Sequence, residues 1–168
     1  MQGFLLDTNH LDALYRQLPS VVERLRRAPH EWWAFACAIT LGEVEAGHRM
    51  TQPTDQLKRE EYEKFINENF VPYAIDITAE TRIKYGKIMG KIWKNHTPPQ
   101  GRDTEKYLIE NGVDLNDVWF VACAWEHNII AVTHDNMPWI KEAVAGKVTF
   151  EDWLEPPDPH RLIKWVES

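Results

Sequence analysis

Four acidic residues fall where the chain leaves an apolar run or starts a helix: Asp7, Glu43, Asp117 and Asp135. Asp7 follows the run at 3–6, Glu43 follows 32–39, Asp117 leads into 118–125, and Asp135 follows 129–133. Carboxylates crowded together cannot all ionise unless a cation offsets their repulsion. The two cysteines, Cys37 and Cys123, both lie inside apolar runs, which excludes a disulfide framework and a thiolate zinc site. An all-oxygen donor set suits Mg²⁺ or Mn²⁺ rather than zinc. Such an ion acidifies a bound water and neutralises charge developing on a phosphoryl group, so the chemistry indicated is metal-assisted hydrolysis of a phosphodiester. Competing chemistries lack their residues: there is no Gly-rich phosphate loop, HExxH or GxSxG. A haloacid-dehalogenase-type phosphatase would want a second Asp where Asn9 stands.

Each acid also has a purely structural reading. Asp7 can cap a helix, Glu43 can complete a capping box with Thr40, Asp117 can sit in a favourable first turn, and Asp135 can form an Asx turn. The recurrence of all four at the edge of one sheet favours the site. In open α/β sheets, ligands bind beyond the C-terminal ends of the strands.

The elements that must position them follow from the apolar pattern. Residues 3–6 read as a buried strand running into a helix capped at Asp7-Thr8-Asn9, and Pro19-Ser20 opens a helix through Arg27. Residues 32–39 read as a second buried strand, and Thr40-Leu41-Gly42-Glu43 as the capping box of a third helix. Pro53 breaks the chain, residues 57–70 read as helix, and 72–77 as a weak strand. The clearest helix is 78–94, where Tyr85, Ile88, Met89, Ile92 and Trp93 form one apolar stripe. The stretch 95–112 reads as loop with one short helix at 105–110. The run 118–125 is ambiguous between strand and helix by periodicity, and Ala122-Cys123-Ala124 tilts it to helix. A strand at 129–133, a turn at His134-Asp135-Asn136 and a last strand at 147–150 complete the domain, expected over 1–154 with a proline-led tail at 155–168. Strands alternating with helices imply an α/β fold with a mainly parallel sheet.

Composition is compatible with this. At 168 residues, with 43% hydrophobic and 27% charged residues, the chain fits one globular domain able to bury a core without staples. The net charge of −7 argues against a protein that coats nucleic acid, and leaves room for an enzyme whose acids hold a metal. The longest apolar run is too short to cross a bilayer. Met1-Gln2-Gly3-Phe4 lacks the pattern of a signal peptide, so the expected compartment is the cytoplasm, with no membrane partner.

Five segments in order carry a family resemblance: Phe4-Leu5-Leu6-Asp7-Thr8-Asn9; Ile39-Thr40-Leu41-Gly42-Glu43 with Gly47; Asn116-Asp117 leading into Phe120-Val121-Ala122-Cys123-Ala124; Ala131-Val132-Thr133-His134-Asp135; and Glu151-Asp152-Trp153. Together they resemble the PIN-domain ribonucleases, above all the VapC toxins of bacterial toxin–antitoxin pairs, over residues 3 to 154. The resemblance implies a Rossmann-like α/β/α sandwich and an Mg²⁺- or Mn²⁺-dependent endoribonuclease. It makes Asp7, Glu43, Asp117 and Asp135 one catalytic, metal-binding cluster, with Asp7 and Asp117 foremost as direct ligands and Glu43 or Asp135 positioning the water. Thr8, Asn9 and Thr133 would orient those carboxylates or the water. It further implies a structured RNA such as tRNA as substrate, a homodimer, and a cognate antitoxin. Two alternatives remain at this point: a non-catalytic PIN module that binds RNA or protein, and a PIN nuclease of RNA processing without an antitoxin. The bridge at 95–115 is longer than the family's usual loop, and His134 stands where relatives often carry a small polar residue.

Other features have bland readings beside functional ones. Lys84, Lys87, Lys91 and Lys94 line one helix face, which reads as solvated before it reads as a phosphate track, and Arg24, Arg26 and Arg27 are similar. Trp32, Trp33, Trp119, Trp125 and Trp139 are core candidates, with a dimer interface or base stacking as the other uses. Gly86 and Gly90 suggest at most a close helix contact.

Overall fold

The structure is a computed structural model that describes residues 2–50 and 56–154. The expected break at Pro53 and the tail at 155–168 lie outside the described residues. Along the chain run β1 (Gly3–Leu6), α1 (Thr8–Tyr15), α2 (Pro19–Arg26), β2 (Trp33–Phe35), α3 (Ala38–Met50) and α4 (Gln56–Asn69). They are followed by α5 (Ala79–Asn95), α6 (Thr104–Glu110), α7 (Leu115–His127), β3 (Ile130–Val132), α8 (Pro138–Ala143) and β4 (Phe150–Glu151). The four strands form one parallel sheet in the order β2-β1-β3-β4.

Successive side chains of a strand point to opposite faces, and here that alternation sorts the core into two layers. Phe4, Leu6, Ile130 and Val132 face one side, where Leu11, Val21, Ile66, Phe70 and Trp153 cover them. Leu5 and Ala131 face the other side, under Ile88, Ile92, Val118, Val121, Cys123 and Ile140. Helices therefore cover both faces, giving the expected α/β/α sandwich. Helix α7 resolves the ambiguous run: its small residues Ala122, Cys123 and Ala124 are buried, and the left-handed Asn128 (φ 52°) ends it. Among the described residues, no helix is long and apolar enough to cross a membrane.

Several sequence expectations are corrected. The strand at 32–39 is only Trp33–Phe35, because α3 already begins at Ala38, with the Leu41 amide bonded to the Cys37 carbonyl. Thr40 is thus buried inside the first turn against Cys37 Sγ, and no Thr40–Glu43 capping box forms. The weak strand at 72–77 is a 3-10 turn at Val71–Tyr73, after which Ile75 alone bridges Cys37. The last strand moves from 147–150 to Phe150–Glu151, because a turn at Gly146 (φ 73°) delays its start. Helix α8, opened by Pro138, has no counterpart in the sequence reading: Met137 just before it and Ile140 and Ala143 within it are spaced by three, but the helix spans less than two turns. Trp33 is exposed rather than core, and nothing packs against the open faces of Gly86 and Gly90. The lysine stripe is not uniform, since Lys84 is half-buried, pairs with Glu80 and lies over the Trp125 ring.

The β1–β2 pairing requires glycine at its start. A Cβ at Gly3 would sit 2.1 Å from the Trp33 carbonyl oxygen, a main-chain atom that cannot rotate away. Gly3→Ala is expected to destabilise the fold by about 1–3 kcal/mol. The measurement is urea unfolding, in which the midpoint falls while the slope stays constant.

Candidate active site

The strand order reverses direction between β1 and β3, and a crevice opens beyond their C-terminal ends. Asp7 leaves β1 and Asp135 follows β3, so both stand at this switch point. Glu43 reaches it from the second turn of α3 and Asp117 from the first turn of α7. All four predicted acids line one cleft of about 70 Å³, together with Thr8, Asn9, Thr40, Asn116 and Phe120.

Asp7 is both helix cap and cleft carboxylate. Its Oδ1 accepts from the His10 amide and from His10 Nδ1, each at 2.8 Å, and its Oδ2 accepts from the His134 amide at 3.2 Å. Burial alone would raise its pKa, but the hydrogen bonds from the His10 ring and amide, joined by the Thr133 hydroxyl, leave it lowered. Glu43 is gripped from two distant segments: Thr8 Oγ1 donates to Oε2 and Asn116 Nδ2 donates to Oε1, both at 2.9 Å. The missing capping box explains this, because a Glu43 that is not turned back to its own helix can reach across the cleft.

Asp117 is not the cap of its helix; Asp114 is, accepting from the Asn116 amide at 2.7 Å. Burial pushes the Asp117 carboxyl up to about 7, and the negative charges of Asp135, Asp114, Glu43 and Asp7 add to the push. Asp135 is likewise raised, by burial and then by Asp7, with partial relief from His134 and Lys141. The Asx turn expected at Asp135 is instead a turn made by Thr133, whose Oγ1 accepts from the Asp135 amide at 3.0 Å. The carboxylate oxygens of Asp135 accept no hydrogen bond among the described residues. The four acids stand around the cleft without forming a finished cage: among the described residues, no group of three or more His, Cys, Asp or Glu meets ligand geometry.

Thr8 Oγ1 bonds the Glu43 carboxylate, Thr133 Oγ1 bonds the Asp135 amide, and Asn9 lines the cleft. The sequence reading missed Asn116 as a clamp on Glu43 and missed His10 altogether. Only its spacing, three residues after Asp7 and so on the same helix face, could have signalled His10. His134 turns away to Asp152, with Nδ1 2.7 Å from Oδ2.

No protein-family model matches the chain, and comparison with curated proteins finds no match. Solved structures do match over nearly the whole fold. A VapBC2 structure from Rickettsia felis, bound to a promoter DNA fragment, is 18% identical with a TM-score of 0.65, covering 91% of this chain and 99% of that one. VapBC-1 from nontypeable Haemophilus influenzae is 18% identical at a TM-score of 0.66, covering 92% and 100%. FitAcB from Neisseria gonorrhoeae is 20% identical at 0.66, covering 91% and 99%. The four-stranded parallel sheet, its two helical layers and these matches agree: the chain has the PIN-domain fold found in VapBC and FitAB toxin–antitoxin structures.

Proposed function

We propose that this cleft binds Mg²⁺ or Mn²⁺ and hydrolyses RNA phosphodiester bonds, and that the chain is the toxin of a toxin–antitoxin pair. The observation that carries this reading is the convergence of four carboxylates from four separate segments at the switch point, where their mutual repulsion helps hold Asp117 up at about 7. The donor set fits a hard divalent cation, since it offers carboxylate oxygen with no thiolate in the cleft. Asp7 and Asp117 would hold the ion. When bound, it would supply an acidified water and offset charge on the phosphoryl oxygens. Glu43, with both oxygens engaged by Thr8 and Asn116, serves as a fixed wall of the site. Among the described residues Asp135 has both carboxylate oxygens free of hydrogen bonds, which suits it to orient the attacking water and take its proton.

The matched toxin–antitoxin structures support a cognate antitoxin as partner, and the family resemblance supports a homodimer and a structured RNA such as tRNA as substrate. The test is incubation of the purified chain with total RNA and Mg²⁺, with cleavage-site mapping: discrete cuts that vanish with chelator are expected, and intact RNA would defeat the reading. Metal binding is expected to show in stability as well. Ion at a hundredfold over its Kd adds about 2.7 kcal/mol by mass action, a rise in Tm of roughly 5–10 °C for a chain of this size. A melting curve unchanged over a wide range of Mg²⁺ would contradict a shared site.

A further inference from the structure

His10 is fully buried, with one ring nitrogen on the cleft carboxylate Asp7 and the other on the segment after β4. Its Nδ1 lies 2.8 Å from Asp7 Oδ1, and its Nε2 lies 3.1 Å from the Trp153 amide. An amide can only donate, so Nε2 is the acceptor and carries no proton. The proton of the ring is therefore on Nδ1, where it can only be given to Asp7. Asp152 Oδ1 is farther from Nε2, at 3.5 Å, and already accepts the Leu154 amide at 2.9 Å.

The segment that fixes this tautomer is itself anchored. Glu151 ends β4 and takes a two-pronged bond from Arg24 of α2, with Nε to Oε2 at 3.0 Å and Nη2 to Oε1 at 2.9 Å. The Arg24 guanidinium lies over the Phe4 ring at 4.9 Å and the Trp153 ring at 5.7 Å, and Trp153 packs edge-on against His10. A rigid path thus runs from the sheet edge through the Trp153 amide and the imidazole to one oxygen of Asp7.

We propose that His10 is a positioning residue: held in its Nδ1-protonated form by the Trp153 amide, it sets the orientation in which Asp7 faces the cleft. The role rests on the reading of Asp7 as a metal-holding carboxylate. A buried imidazole that merely filled space would need neither donor nor tautomer.

Two measurements test it. A long-range ¹H–¹⁵N NMR spectrum of the metal-free protein should show the His10 ring protonated at Nδ1 and bare at Nε2; the opposite pattern would overturn the proposal. Calorimetric Mg²⁺ titration of folded variants gives the second readout. His10→Leu keeps the bulk without the donor and should weaken Mg²⁺ binding about 10-fold or more. His10→Asn, which returns an N–H near the place of Nδ1, should recover most of the affinity. Parental affinity in His10→Leu alongside a loss in Asp7→Asn would overturn the role of His10 alone. Parental affinity in both would overturn the metal reading, and this role with it.

Discussion

Without a divalent ion at pH 8, Asp117→Asn is expected to melt at a higher temperature than the parent protein. The Asp117 carboxyl is pushed from its ordinary 3.8 up to about 7, by burial and by the charges of Asp135, Asp114, Glu43 and Asp7. A carboxyl with a raised folded pKa favours the fold fully below its unfolded value, and that contribution is lost as pH rises through the folded value. The metal-free parent should therefore lose stability between about pH 4 and pH 7, and the neutral amide should remove that loss. A shift of this size corresponds to about 4 kcal/mol at full strength; screening of a partly exposed group reduces it to about 1–2 kcal/mol. The expected gain in Tm is a few degrees. Saturating Mg²⁺ should reverse the order, because the parent binds the ion and the variant binds it poorly. Melting curves at pH 5 and pH 8, with and without Mg²⁺, check all four corners; a less stable variant in chelator at pH 8 would mean that the carboxylates do not repel.

The larger effect is expected on catalysis. Asp7→Asn and Asp117→Asn should each lower RNA cleavage about a hundredfold or more, since an amide is a poor ligand and cannot supply the lost charge. The double variant should be little worse than either single one, because both remove one shared function. In cells, the parent expressed without an antitoxin should slow growth, and Asp117→Asn should be tolerated. Single-turnover rates on one mapped RNA provide the comparison. Losses that multiply in the double variant would place the two acids in separate roles.

The sheet was legible because β1 and β3 are short and wholly apolar, β1 running straight into Asp7 and β3 reaching Asp135 after Thr133-His134. A parallel sheet buried on both faces writes that pattern directly into the chain. What eluded the sequence lies where long-range contacts override local signals. Thr40-Leu41-Gly42-Glu43 has capping-box spacing, but the bridge of Cys37 to Ile75 ends β2 early and starts α3 at Ala38. That displacement takes Glu43 off its own helix end and gives it to Thr8 and Asn116, two partners no local window contains. The four acids themselves could be found singly by position, and their convergence in one cleft is what the structure adds. His10 escaped because a histidine in a first turn has no distinctive neighbours in sequence; its second partner, the Trp153 amide, lies 143 residues away.

The most direct test of the four-acid cleft is the RNA cleavage rate of Asp117→Asn, taken on the same sample whose melting curve shows it folded. A purely structural Asp117, sitting in the first turn rather than at the cap, predicts that the amide loses at most about 0.3–1 kcal/mol of helix-dipole stabilisation and leaves the rate unchanged. The metal reading predicts that the two readouts move in opposite directions: a chelator-treated protein more stable than the parent, and a cleavage rate lower by about a hundredfold or more. If the folded variant cuts RNA at the parental rate, the four-acid site is wrong and a PIN module that binds without cutting takes its place.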